Sequence, residues 1–196
     1  ENWNRGWSFG TVSQKLVDDL QGDPRLYKTV LFEDSLDGDL VPGYQHTGYF
    51  SKKYSSDAEH QSADGQLELN RTCNHRVIRY SDVLLMAAEL GSANAQQYLD
   101  KVRARVGLAS VSATIDNILN ERRLELSLEG IRYFDLIRQG MNVASQELTV
   151  GIYGSQYIGD QVLFDVTFDA VTKGFLPIPQ TEIDLSGGLF VQNEGY

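Results

Sequence analysis

Residues 77–108 read VIRYSDVLLMAAELGSANAQQYLDKVRARVGL, and their periodicity decides the fold. From Tyr80 to Leu90 the side chains of Tyr80, Val83, Leu84, Ala87 and Ala88 recur at helical spacing and form one apolar stripe, with Asp82 and Glu89 outside it. Gly91 stands where a left-handed helix cap is wanted. The short link from Gly91 to Asn94 leads into a second helix, Ala95 to Val106, which buries Tyr98, Leu99 and Val102 and closes at Gly107. So short a connection makes the two helices antiparallel neighbours.

The same pattern continues towards the C-terminus. A third helix is expected from Ile115 to Leu128, with Thr114 as its N-cap and Asp116 in its first turn. A fourth runs from Tyr133 to Gln139 and stops at Gly140. Tyr80 and Thr114 open the first and third helices 34 residues apart, the period of tetratricopeptide helix pairs. Beyond Gly140 the chain turns Gly-, aromatic- and β-branched-rich. A hairpin is expected within 150–168, then an extended segment at Pro177 and Pro179, and one helical turn from Thr181 to Leu185. The first 75 residues are polar and punctuated by turns. Ser13 to Leu20 reads as a short helix capped by Ser13, and Arg25–Phe32 and Tyr49–Tyr54 read as short strands. The fold class is therefore mainly α: tetratricopeptide-like helix pairs at 77–140, flanked by a loop-rich segment at 1–76 and an irregular C-terminal segment at 141–196.

Composition narrows the function. The chain has 196 residues, of which 41% are hydrophobic and 22% charged, a globular balance. A compact chain of this mass exposes roughly 9,300 Å². Its net charge of −10 argues against nucleic acid or an anionic membrane surface as the main partner. A single cysteine, Cys73, excludes an intrachain disulfide or a cysteine metal cluster. The longest aliphatic run, Val83 to Ala88, is too short to cross a bilayer. No signal peptide or lipidation motif opens the sequence, which starts at Glu1 and reads as a piece of something longer.

The chemistry-bearing residues are sparse. There is no GxSxG elbow, phosphate loop, HExxH or GxGxxG, so nothing supports an enzyme and no cofactor is expected. Glu121, Arg122, Arg123, Glu125 and Glu129 would suit a catalytic carboxylate pair with an arginine clamp, but they read better as ion pairing on a helix surface, with Arg122 and Glu125 at i,i+3. His46, His60 and His75 are expected in surface loops, without metal-ligand spacing. Asp34, Asp37 and Asp39 flank a glycine without the spacing of a calcium loop, and read as a solvated acidic turn. Trp3 and Trp7, among Asn2, Asn4 and Arg5, and Tyr44 and Tyr49, beside Gln45 and His46, combine flat apolar faces with hydrogen-bonding groups, as a saccharide site requires. The plainer role for the tryptophans is packing against further polypeptide.

Several stretches also resemble one family. Val77 to Glu89 (VIRYSDVLLMAAE), Leu99 to Leu108 (LDKVRARVGL), Glu121 to Gly130 (ERRLELSLEG), Arg132 to Gly140 (RYFDLIRQG) and Phe175 to Asp184 (FLPIPQTEID), closing on Gln192 to Tyr196 (QNEGY), are similar to the motifs of SusD/RagB-type outer-membrane nutrient-binding lipoproteins. So are Gly48 to Tyr54 (GYFSKKY) and Ser13 to Asp18 with Gly22 to Leu26. The matches keep the family's order along nearly the whole chain. Ser81, Ile131, Gln139 and Glu194 depart from it, where Ala, His, Trp and Pro are usual.

The resemblance implies non-catalytic capture of a polysaccharide or oligosaccharide at the cell-surface face of an outer membrane. The protein would act as a lid on a SusC-like TonB-dependent transporter. A peptide cargo, or a helix-repeat interaction module without a small ligand, are the alternatives. Because the family is longer, the resemblance also implies an N-terminal half carrying the lipid anchor as a further partner, with this chain as the C-terminal portion. The family's sugar contacts fall in none of the quoted motifs, so Trp3, Trp7, Tyr44 and Tyr49 rest on their own chemistry.

Overall fold

The computed structural model describes residues 10–36, 45–55, 60, 64–65, 72–154 and 162–196. Helix α1, Gln14–Asp19, starts where Ser13 accepts a hydrogen bond from the Leu16 N–H. The stretch 25–32, expected as a strand, divides into a helical turn, α2 (Leu26–Thr29), and a strand, β1 (Val30–Phe32). The polar turn Gly22-Asp23-Pro24 delivers the chain in helical geometry, because the Asp23 carboxylate accepts the Arg25 N–H at 2.8 Å and fixes the first turn. A 3-10 turn at Glu33–Ser35 follows. β2, Tyr49–Ser51, pairs antiparallel with β1, with Leu31 opposite Phe50.

The helical centre lies close to where the sequence placed it. α3 is Tyr80–Glu89, α4 is Ala95–Ala104, and α5 is Ile115–Glu125, capped by the Thr114 hydroxyl accepting from the Asn117 N–H. Gly91 and Gly107 adopt φ of 79° and 77°, in the left-handed region that ends α3 and α4. The buried stripe of α3 is rotated from the expected one. Leu84, Leu85 and Ala88 face the core, while Tyr80 and Val83 are 64% and 44% exposed. The reason is visible in the neighbours: Leu84, Leu85 and Ala88 pack with Leu99, Val102 and Ile118, which leaves the Tyr80–Val83 flank turned away.

α5 is shorter than expected. Its C-cap is Leu126, Leu128 turns to φ 64° and Gly130 to φ 78°, and α6, Arg132–Arg138, then begins. A further helix, α7 (Met141–Leu148), was not expected from the sequence. The expected hairpin is present as β3 (Val150–Tyr153) and β4 (Val162–Val166), antiparallel, with Ile152 opposite Phe164. After a 3-10 turn at Ala170–Thr172, α8 spans Gln180–Leu185.

Two apolar clusters organise the described residues. One joins α3, α4 and α5. The other gathers Val12, Val17, Leu20, Leu26 and Val30 against Leu124. α5 belongs to both, with Ile118 in one and Leu124 in the other. The chain exposes 12584 Å², about a third more than a compact chain of its mass. Uncovered apolar side chains contribute to that excess, including Val77, Ile78 and Leu90 around α3 and Leu176, Leu185, Leu189 and Val191 near the C-terminus.

Candidate functional site

Between the two apolar clusters, α5 presents charge to the interior. Glu121 is 0% exposed, Glu125 2% and Arg122 4%. The expectation of surface ion pairs within the helix is corrected here. The partners of these side chains come from distant segments. Arg25, just before α2, donates to Glu121 at 2.6 Å and Glu125 at 3.1 Å, and is itself held by Asp23 at 2.7 Å. Arg103 of α4 donates to the other Glu121 oxygen at 2.7 Å. Arg79 and Arg105 donate to Glu125 at 2.9 and 2.7 Å. Arg79 and Lys53 both reach Glu129, at 2.7 and 2.9 Å. Arg122 points the other way, to Asp82 of α3 at 2.7 Å and Asp135 of α6 at 3.1 Å.

The electrostatics follow from this geometry. Burial alone would push the Glu125 and Glu129 carboxyls up. The guanidiniums of Arg79, Arg105 and Arg25, with the Lys53 ammonium at Glu129, outweigh it and hold both below the usual range. Burial likewise opposes the charge on Arg25, yet Asp23 and Glu121 raise its pKa above the ordinary arginine value. Each oxygen of Glu121 and Glu125 already accepts from a guanidinium. These carboxylates fasten the 25–30 segment, α3, α4 and α5 to one another, and leave no oxygen turned to a substrate.

Two concave regions lie beside this network. The larger, about 730 Å³, has Leu16, Leu128, Leu136, Leu148 and Ile152 in its walls, with the rings of Tyr133 and Tyr153. At its edge Glu147 accepts from Lys15 at 3.0 Å, Arg123 at 2.9 Å and Arg132 at 3.3 Å. Arg123 also pairs with Asp19. The Lys15 hydrogen bond and the neighbouring cations hold the Glu147 carboxyl low. An apolar wall with two tyrosines and a charged edge suits an amphipathic ligand such as a saccharide. The second region, about 650 Å³, is dominated by cationic side chains.

Of the aromatic residues nominated from the sequence, Trp3, Trp7 and Tyr44 lie outside the described residues. Tyr49 is half-buried in β2, its ring edge-on to Phe32 at 5.4 Å. Its hydroxyl donates to Gln14 at 2.6 Å, and Gln14 lines the larger cavity, so Tyr49 stands one side chain behind that wall. Tyr133 and Tyr153 were missed. Their signal was an aromatic on each side of the Gly140 segment, which the helix and hairpin patterns absorbed.

The histidine expectation needs one correction. His46 is 1% exposed, and its Nε2 meets Glu33 Oε2 at 2.7 Å, because the buried β1–β2 corner gives each a polar partner. His60 and His75 are exposed, and His75 lies against Tyr54 at 5.5 Å. Asp34 sits in the 3-10 turn after β1, while Asp37 and Asp39 lie outside the described residues. Among the described residues no group of three or more His, Cys, Asp or Glu could hold a metal ion, and no helix is long and apolar enough to cross a membrane.

Comparison with known proteins gives a consistent picture. SusD-like protein P2 of Formosa agariphila is 27% identical over 225 residues, covering 99% of this chain and 41% of that protein. A solved laminarin-binding SusD-like protein is 40% identical with a TM-score of 0.79, over 97% of this chain and 39% of that one. Surface glycan-binding protein A from Bacteroides thetaiotaomicron, solved in complex with laminarihexaose, is 34% identical with a TM-score of 0.80, over 98% and 43%. The chain thus spans about two fifths of the length of these relatives. The profile of the SusD family matches residues 27–196, most of the sequence, and with the mainly helical fold it shows that this chain belongs to the SusD family.

Proposed function

We propose that this chain is part of a surface glycan-binding protein, which captures a polysaccharide or oligosaccharide without transforming it. The observation that carries the reading is the 40% identity, sustained over 97% of the chain, to a protein described as laminarin-binding. The cavity with Tyr133 and Tyr153 in its walls supports it chemically. The binding face would also draw on Trp3, Trp7 and Tyr44, with Tyr49 acting through Gln14. In this reading the protein serves a SusC-like TonB-dependent transporter from the outer face of an outer membrane, held there by a lipid on further polypeptide. That further polypeptide would also cover the exposed flank of α3 and the apolar C-terminal segment, since the relatives are more than twice as long. The segments 1–76, 77–140 and 141–196 would then act together as its C-terminal portion.

Calorimetric titration with laminarihexaose tests the reading. Saturable binding is expected, with no new reducing ends after prolonged incubation. Trp3→Ala and Trp7→Ala should each weaken it about tenfold or more, on the order of one lost stacking contact at ~1.4 kcal/mol per decade. Absence of saturable binding to laminarihexaose and to other oligosaccharides, or release of shorter sugars, would overturn it.

A further inference from the structure

The second concave region carries seven cationic side chains and two carboxylates, in a chain whose net charge is −10. The imbalance is partly structural, because Arg25, Arg79 and Lys53 are spent on the buried carboxylates of α5 and the loop after it. Two of the others are not. Lys28 and Arg76 line the region, both are exposed, and neither side chain has an ion-pair or hydrogen-bond partner among the described residues. Arg105 uses one nitrogen on Glu125 and leaves its side chain 55% exposed. Tyr54 adds an aromatic ring to the same wall, and Ser55 a hydroxyl.

From this arrangement we infer that the cleft bounded by Lys28, Arg76 and Arg105 binds an anionic saccharide, one bearing sulfate or carboxylate groups, separately from the cavity of Tyr133 and Tyr153. Exposed cations without partners attract an anion at little desolvation cost. The paired cations behind them are largely neutralised by their own carboxylates, so the positive potential at the mouth comes from the exposed side chains. Burial pushes the Lys53 ammonium down, with the neighbouring Arg79 charge adding to it against the opposing pull of Glu129. The aromatic ring and hydroxyl favour a sugar over a bare inorganic anion. The inference rests on the glycan reading for the saccharide itself, while the recognition of the anion stands on the cleft.

The test compares laminarihexaose, sulfated laminarihexaose and inorganic sulfate by calorimetry, on the full chain and on the Lys28→Gln/Arg76→Gln variant. Both substitutions lie on exposed side chains, and an unchanged thermal melt establishes that the variant folds. Cys73 is the only cysteine, it is exposed, and it lines the same cleft, so its rate of alkylation is a second readout. The sulfated hexamer should bind at least tenfold more tightly than the neutral one at low salt, and lose that advantage as salt rises. It should slow Cys73 alkylation severalfold. The double variant should lose about tenfold for the sulfated hexamer and nothing for the neutral one.

Equal binding of the two hexamers, or an unaffected double variant, overturns the proposal. So does alkylation that ignores the sulfated hexamer. Inorganic sulfate matching the hexamer would overturn the saccharide part. Binding of laminarihexaose alone leaves the glycan reading standing and this one refuted. Binding of the sulfated hexamer alone, dependent on Lys28 and Arg76, does the reverse for a neutral cargo.

Discussion

Glu121→Gln should be among the most damaging single substitutions in the chain. The glutamate is fully buried, and its two oxygens accept from Arg25 and Arg103 at 2.6 and 2.7 Å. Glutamine keeps the shape and one acceptor, but aims an amide N–H at a guanidinium. Arg25 would retain Asp23 and Glu125, whereas Arg103 would keep only the Ala109 carbonyl. Breaking a buried ion pair by neutralising one partner typically costs about 3–5 kcal/mol, because the remaining charge is left out of water. With a urea m-value of about 2 kcal/mol/M, the unfolding midpoint should fall by about 1.5–2.5 M. Helical circular dichroism in a urea titration measures it directly. Lys173→Gln is the control: its pair with Glu194 is 65% and 63% exposed, and its loss should cost less than about 1 kcal/mol. If Glu121→Gln moves the midpoint no further than Lys173→Gln, the idea that buried charge holds the α5 junction together is wrong.

Acid should loosen the same junction. Asp23, Glu125, Glu129 and Glu147 are all held below their ordinary carboxylate values, so their contribution is complete above the unfolded values and is lost as pH falls through the folded ones. Stability should therefore be flat from neutrality to about pH 5 and fall below it, as urea titrations across that range would show. Gly174→Ala should cost about 1–3 kcal/mol, since φ is +79° and a Cβ would sit 2.6 Å from Ile137 Cδ1; Gly187→Ala, with a similar φ but open space, should cost only the backbone strain of about 1 kcal/mol. Thr114→Ala should remove about 1 kcal/mol by stripping the cap of α5, and Thr114→Ser should restore it.

The helices around residues 80–125 were legible because their apolar residues, glycine caps and the Thr114 cap all point the same way. α7 was not, since Met141 to Leu148 follows Gly140 with no side-chain cap and no acidic residue in its first turn. α2 was hidden inside a run, RLYKTVLF, whose β-branched end speaks for a strand and whose start is bent by Asp23. The ionic junction was illegible for a different reason. Glu121 and Glu125 share a face with Ile118, so periodicity alone would have put two carboxylates in the interior, and burial of a charge is costly until its partners are known. Those partners lie up to 100 residues away, a separation no local pattern reports. The family resemblance supplied the fold of the whole. It could not supply the cationic cleft, which exists only where Lys28, Arg76 and Arg105 converge.

That α5 joins two apolar clusters through charge has a consequence for the order of assembly. The cluster of α3, α4 and α5 closes over short stretches of chain, whereas Arg25 must find Glu121 across 96 residues. Closing so long a loop is slow and is rewarded late, so the helical cluster should form first and the 12–30 segment dock onto it afterwards. Arg25 would then act as a latch on the finished protein rather than as part of its folding nucleus. Weakening it should speed unfolding while leaving the refolding rate almost untouched, and the lifetime of the native state, more than its formation, would depend on that one guanidinium.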